Sequence, residues 1–222
     1  MQTKNNLFQK YYPFWNNLSE SEKEQFKTYS GTKTFKKGEN INRTDECAGF
    51  VLIKSGQIRI YIVSEEGREV TLYRLSEGNI CIFTAQCVLD SISFDVIVEA
   101  EQDTELMILS PGRFHAVSEK NIFVKCFGYE LATKRLSDAM WTLQQVLFMR
   151  ADKRLALLLC EEMRKSRCDE IKLTHEQIAK YMGSAREVVS RLLKYFSDEE
   201  IVKLSRGTVK IIDREKLMEI AG

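Results

Sequence analysis

The segment Leu173-Thr174-His175-Glu176-Gln177-Ile178-Ala179-Lys180-Tyr181-Met182-Gly183 runs straight into Ser184-Ala185-Arg186-Glu187-Val188-Val189-Ser190-Arg191-Leu192-Leu193-Lys194. It reads as two short helices hinged at a glycine. Thr174 at the N-cap and Gln177 three residues on form a capping box, in which each side chain satisfies an otherwise orphaned amide. Gly183 ends the first helix because a residue without Cβ takes the left-handed conformation freely. On the second helix Val188, Leu192 and Phe196 are the expected inner stripe. That leaves Arg186, Glu187, Ser190, Arg191 and Lys194 outside. A short helix, a glycine turn and a polar, basic second helix make a helix-turn-helix. Arginine can bond guanine O6 and N7 together, glutamate can accept from cytosine N4, and further cations neutralise phosphate. A charged helix face alone is equally well a solvated surface; its place after a capped helix and before a glycine-tipped hairpin makes it specific.

Downstream, Ile201-Val202-Lys203-Leu204, Ser205-Arg206-Gly207 and Thr208-Val209-Lys210-Ile211-Ile212 read as strand, turn and strand. Upstream, Arg154 to Met163 is an apolar helix around Leu155, Leu158 and Leu159, with Cys160 a core thiol. Further upstream, residues 120–149 hold no proline. Ile122, Cys126, Tyr129, Thr133, Leu136, Met140, Leu143 and Leu147 recur in alternating steps of four and three. That heptad rhythm suits a helix–helix seam and favours a parallel homodimer over a helix packed only on its own domain. Trp141, Val146 and Phe148 lie off the seam and call for a second apolar neighbour.

From about Thr32 to Leu109 the texture changes to short strands punctuated by Gly38, Gly56, Gly67 and Gly78. Phe50–Ile53, Gln57–Val63, Glu69–Tyr73, Phe94–Glu99 and Thr104–Leu109 are the runs, and Ser64-Glu65-Glu66-Gly67 is a hairpin turn. Many short strands at roughly ten-residue spacing imply a sandwich or barrel able to hold one small ligand. The fold class expected is α+β. It comprises a jelly-roll-like β-roll over 1–116, a dimerisation helix over 117–150 and a winged helix-turn-helix over 151–222.

The 222 residues carry 44% hydrophobic and 29% charged side chains, which excludes wholesale disorder. The net charge of +1 argues by itself against a polyanion partner. Locally, however, Lys180, Arg186, Arg191 and Lys194 stand against Glu187 alone within 180–194, and screening makes the local density decisive. The first residues lack the apolar core of a signal peptide. The longest apolar run, Leu155 to Cys160, is far below the ~20 residues that span a bilayer. A cytoplasmic chain without a membrane partner is expected. Its six cysteines show no CxxC spacing, so they are expected to be thiols. Two histidines, His115 and His175, leave little for a metal centre or an acid–base catalyst, and no enzyme is expected.

The segment from Thr174 to Ile212 closely resembles the winged helix-turn-helix of the Crp/Fnr superfamily of bacterial transcription regulators. Gly183 to Leu193 corresponds to the recognition helix and Leu204-Ser205-Arg206-Gly207 to the wing. The glycine-punctuated strands are similar to the family's cyclic-nucleotide-binding-type β-roll, and the heptad helix to its dimerisation helix. The resemblance implies a DNA-binding homodimer on a near-palindromic operator, with RNA polymerase as a further partner. It makes Arg186, Glu187 and Arg191 base and phosphate contacts, with Ser184 and Thr174 on phosphate. Ser190, Lys194 and the wing's Arg206 complete the expected DNA face.

Members that bind cyclic nucleotide carry a Gly-Glu pair and then an Arg-Ser or Arg-Thr pair, the arginine meeting the phosphate. The corresponding positions here are Ile82-Phe83 and Phe94-Asp95. An aspartate there would repel phosphate, so cyclic AMP and cyclic GMP are not expected. Near the base-facing positions of the dimerisation helix stands apolar Met140. Iron–sulfur sensors of the superfamily use an N-terminal cysteine group, and no cysteine precedes Cys47, so a cluster is not expected. Haem stays open, with His115 the sole histidine of the sensory part. Cys81 and Cys87 fall where the ligand cassette would lie. Core thiols are the leading reading, and a redox sensor needs one of them exposed and electropositively activated. Two other classes compete. A cupin-like metal barrel would need a His/carboxylate cluster on the strands, and a non-DNA ligand-binding subunit is opposed by the outward Arg186, Arg191 and Lys194. The small-molecule effector is left unnamed.

Overall fold

The computed structural model describes residues 2–41, 50–82 and 96–222. They fold into two compact units, 1–61 with 72–139 and 62–71 with 140–222.

In chain order α1 (Gln2–Tyr11) and α2 (Glu20–Tyr29) precede β1 (Ser30–Phe35), β2 (Phe50–Ser55), β3 (Gln57–Val63), β4 (Glu69–Ser76), β5 (Ile80–Ile82), β6 (Ile97–Ala100) and β7 (Thr104–Leu109), all in the first unit except the end of β3 and the start of β4, where 62–71 belongs to the second. The strands form two sheets, ordered β1-β7-β2-β5 and β4-β3-β6. The run Phe50-Val51-Leu52-Ile53 does not alternate because β2 is covered on both faces. Phe50 and Leu52 join Met107, Leu109, Phe114 and the aromatic set Phe8, Tyr12, Phe14, Trp15 and Phe26 on the helical side. Val51 and Ile53 join Ile58, Ile60, Val98 and Leu106 in the second core. The aromatic helices α1 and α2 are absent from the expectations above; short and polar on average, they lack a clear periodic stripe. Gly56, at φ +88°, turns β2 into β3 against the Thr104 backbone, where a Cβ has no room.

Two helices follow β7: α3 (Pro111–Ser118) and α4 (Ile122–Phe148). Asn121 accepts from the Phe123 and Val124 amides at the start of α4. Its own amide donates to the Glu22 carboxylate, which closes the capping box of α2. Along α4, Val124, Gly128 and Leu131 point inward. All eight residues of the heptad series are exposed, with Leu136 at 60% and Leu147 at 61%. No described residue of this chain covers the seam. The second neighbour expected for the off-seam residues is found only in part. Val146 is half-buried, whereas Trp141 stays 49% and Phe148 81% exposed. Too little chain packs on the last turns of α4 to bury both faces.

In the second unit α5 (Ala151–Ser166) is followed by β8 (Glu170–Ile171), α6 (His175–Met182), α7 (Arg186–Asp198), β9 (Val202–Ser205), β10 (Thr208–Ile211) and α8 (Arg214–Ala221). The sheet order is β8-β10-β9. One core joins Leu155, Leu159, Ile178, Met182, Val189, Leu193, Phe196, Val209 and Leu217. The expected inner stripe of α7 is one residue out of phase. Val189, Leu193 and Phe196 are buried, while Val188 and Leu192 are half-buried flanks. Spacing i, i+4, i+7 keeps three side chains closer to one line than i, i+4, i+8, and contact with α5 and α6 selects it. Among the described residues no helix is long and apolar enough to cross a membrane.

Candidate nucleic-acid interface

Local chemistry sets α6. Thr174 Oγ1 accepts from the Gln177 amide at 3.2 Å, and Gln177 Oε1 accepts from the Thr174 amide at 2.9 Å. At the other end Gly183 sits at φ +59°, ψ +43°, and the Ser184 amide donates to the Ala179 carbonyl at 2.9 Å. That six-to-one bond turns the chain directly into α7. With Val189, Leu193 and Phe196 inward, the rotation of α7 leaves Arg186, Glu187, Arg191 and Lys194 exposed on one side. Thr174 and Arg206 are also exposed, while Ser184 is half-buried. A groove of about 640 Å³ runs between the start of α6, Arg186 and the wing residues Leu204 to Val209. Its walls carry Thr174, His175, Arg186 and Arg206 on one continuous surface.

Ser190 is half-buried, and its hydroxyl lies 2.9 Å from His175 Nδ1. His175, which is outside the set expected from the sequence, thus stands beside Ser190. Fifteen residues separate the pair, so no helical spacing could have announced it.

The turn between the two helices is held by side chains outside the motif. Arg154 Nη1 donates to the Met182 carbonyl at 2.9 Å, and the Arg68 guanidinium donates to the Gly183 carbonyl. Thr71 Oγ1 donates to the Lys180 carbonyl at 3.1 Å, while Lys180 Nζ lies 3.0 Å from Glu69. Cations at a helix C-terminus are favoured by the partial negative charge of its free carbonyls. Burial, and then the like charge of Arg68, hold the Arg154 guanidinium below its usual pKa. The charge of Lys180, one of the four cations of 180–194, is therefore partly neutralised by Glu69.

Of the effector residues expected from the sequence, Cys81 is fully buried in the core between the sheets. Ile82 ends β5, and Met140 is exposed on the α4 stripe at 54%. Phe83, Cys87, Phe94 and Asp95 lie outside the described residues. His115 is exposed on α3. Among the described residues no group of three or more His, Cys, Asp or Glu side chains is placed to hold a metal ion.

Residues 153–220 match the Crp-like helix-turn-helix domain, and residues 32–121 match the cyclic nucleotide-binding domain. The chain is similar to a transcriptional regulator of the Crp/Fnr family from Eubacterium rectale. The two are 41% identical, with a TM-score of 0.89 over 95% of this chain and 98% of that one. It is also similar to the cyclic AMP receptor protein of Thermus thermophilus, at 28% identity over 94% of this chain and 96% of the relative. Similarity extends to the fumarate and nitrate reduction regulatory protein of Vibrio cholerae, at 24% identity over 92% and 84%.

Proposed function

Because the chain belongs to the Crp/Fnr family of DNA-binding transcription regulators, we propose that it works as a cytoplasmic homodimer reading a near-palindromic operator. The observation that carries this reading is the exposed face of α7, set beside the wing groove and backed by a buried stripe. Arg186 and Glu187 read base edges in the major groove. Arg191 and Lys194 contact base or phosphate, and Ser184, Thr174 and Arg206 hold the backbone. Ser190 contributes to the same face. The uncovered α4 series supports a parallel dimer, which would present two copies of α7 to half-sites one turn, roughly 34 Å, apart.

In this reading 1–116 is the sensory domain, 117–150 the dimerisation helix and 151–222 the DNA-binding domain. An effector in the sensory domain shifts α4 and with it the spacing of the two readers, so occupancy biases a pre-existing equilibrium. RNA polymerase is the downstream partner, and the protein has no catalytic role. The relatives named for cyclic AMP do not set the effector. Phe83, Phe94 and Asp95 replace the residues that would hold ribose and phosphate, so cyclic AMP is not the ligand. The full burial of Cys81 gives the thiol-sensor reading no support.

Selection from a pool of random-sequence duplexes tests the proposal. Enrichment of a sequence with two inverted half-sites one helical turn apart is expected. Recovery of duplexes without a common sequence would overturn it.

A further inference from the structure

We propose that the β3–β4 hairpin is a stiff arm through which the β-roll sets the pose of the turn between α6 and α7. The inference rests on the DNA-binding reading above and adds to α4 a second route from sensor to reader. β3 and β4 are neighbours in the sheet ordered β4-β3-β6. Each is one unbroken strand that crosses from the first unit into 62–71, which belongs to the second. Within the first unit β3 is paired to β6, with Ile58 opposite Ala100 and Tyr61 opposite Ile97. The far end of the hairpin is closed on itself. The Ser64 amide donates to the Arg68 carbonyl at 2.9 Å, and the Gly67 amide to the Ser64 carbonyl at 2.9 Å. The Arg68 amide donates to the Ser64 hydroxyl at 3.1 Å.

Four consecutive residues of this arm engage the end of α6. The Arg68 guanidinium donates to the Gly183 carbonyl, and Glu69 pairs with Lys180 Nζ at 3.0 Å. Val70 packs over Gly183 so closely that an added Cβ would stand 3.1 Å from it. Thr71, buried, donates to the Lys180 carbonyl at 3.1 Å. Carbonyls at a helix C-terminus lack a full set of intrahelical partners, and the helix dipole favours a cation beside them. None of the four residues lines the groove of Thr174, His175, Arg186 and Arg206, so the arm does not compete with a duplex for that surface. A turn already pinned has fewer poses to lose when α7 enters a DNA groove. By linkage a bound duplex stabilises the pinned turn in return, and the strands that carry the arm with it.

Amide hydrogen exchange of the full chain, read by mass spectrometry, tests this. Arg68→Met with Thr71→Val removes both donors and keeps the side-chain bulk. In the free protein this double variant should exchange about tenfold faster across 180–186, as loss of two hydrogen bonds does, with α8 unchanged as the control for folding. Arg68→Lys with Thr71→Ser keeps a donor at each place and should recover most of the protection. The second measurement adds the duplex selected by the wild type. Exchange at 57–61 and 72–76 should then slow severalfold in the wild type and stay unchanged in the double variant, while α7 is protected in both. The double variant should also bind that duplex severalfold more weakly. Unchanged exchange at 180–186, or strands that ignore the duplex in the wild type or respond equally in both proteins, would overturn the arm and leave the DNA-binding reading standing. A wild type that selects no duplex overturns the DNA-binding reading itself, and the coupling with it.

Discussion

Replacing Gly183 by alanine strains the hinge of the helix-turn-helix in two separable ways. The backbone there is left-handed, at φ +59° and ψ +43°, which costs an L-residue with a Cβ about 1 kcal/mol. The added methyl would also stand 3.1 and 3.2 Å from the two Val70 methyls, closer than carbon atoms pack, and 3.5 Å from Val146. Val70 is flanked by Arg68 and Thr71, both bonded to carbonyls of the same turn, so it cannot retreat without loosening those contacts. Overpacking of this kind costs about 1–2 kcal/mol more. The sum is about 2–3 kcal/mol, which at a urea slope of about 2 kcal/mol per molar moves the unfolding midpoint down by about 1 M. Urea unfolding followed by circular dichroism measures it. Adding Val70→Ala should relieve the crowding and leave the backbone part. Gly183→Asn, which tolerates the left-handed region better, should lose only the crowding part. A midpoint within about 0.25 M of wild type for Gly183→Ala, or no relief from Val70→Ala, would refute the account of this turn.

Three further outcomes are expected. Arg186→Ala should weaken binding to the selected duplex by about 1–3 kcal/mol and relax preference at one base pair; titration against base-substituted duplexes reads this, and a uniform loss would instead make Arg186 a phosphate contact. Leu136→Glu with Leu143→Glu, on the uncovered α4 stripe, should weaken dimerisation at least a hundredfold, about 3 kcal/mol, as read by light scattering. In that monomer exposed Cys126 should alkylate as fast as exposed Cys168, whereas the proposed dimer should shield it and slow the reaction; buried Cys81 and Cys160 should stay slow, the thiol of Cys160 being pushed up by burial. Burial pushes the Glu22 carboxyl up, but hydrogen bonds from the Ser19 amide, the Ser19 hydroxyl and the Asn121 amide outweigh it and hold the pKa below its usual value. Its stabilisation is therefore present above the ordinary carboxylate range and lost as pH falls through the depressed value. Glu22→Gln should be less stable than wild type near neutrality, and the gap should close in acid.

Whatever rests on neighbours within a turn or two follows from the order of the residues alone. Thr174 and Gln177 are three residues apart, so their reciprocal capping is written into the chain. Gly183 and Gly207 mark turns because the left-handed backbone is a property of one residue. The heptad of α4 repeats the same exposure eight times, and repetition survives the loss of any single contact. From such local marks the helix-turn-helix, its wing and the long helix were legible, and so was the outward set Arg186, Glu187, Arg191 and Lys194. Tertiary packing decided the rest. It chose Val189 and Leu193 over Val188 and Leu192 because the neighbours of α7 fix its rotation more finely than a four-residue step can. Only packing gathers Phe8, Tyr12, Phe14, Trp15 and Phe26 over β2, and only packing sets Ser190 beside His175. The grip of Arg68 and Thr71 on the hinge spans more than a hundred residues of chain. Contacts at such separations carry no period in the sequence, since nothing local distinguishes the residues that will meet from those that will not.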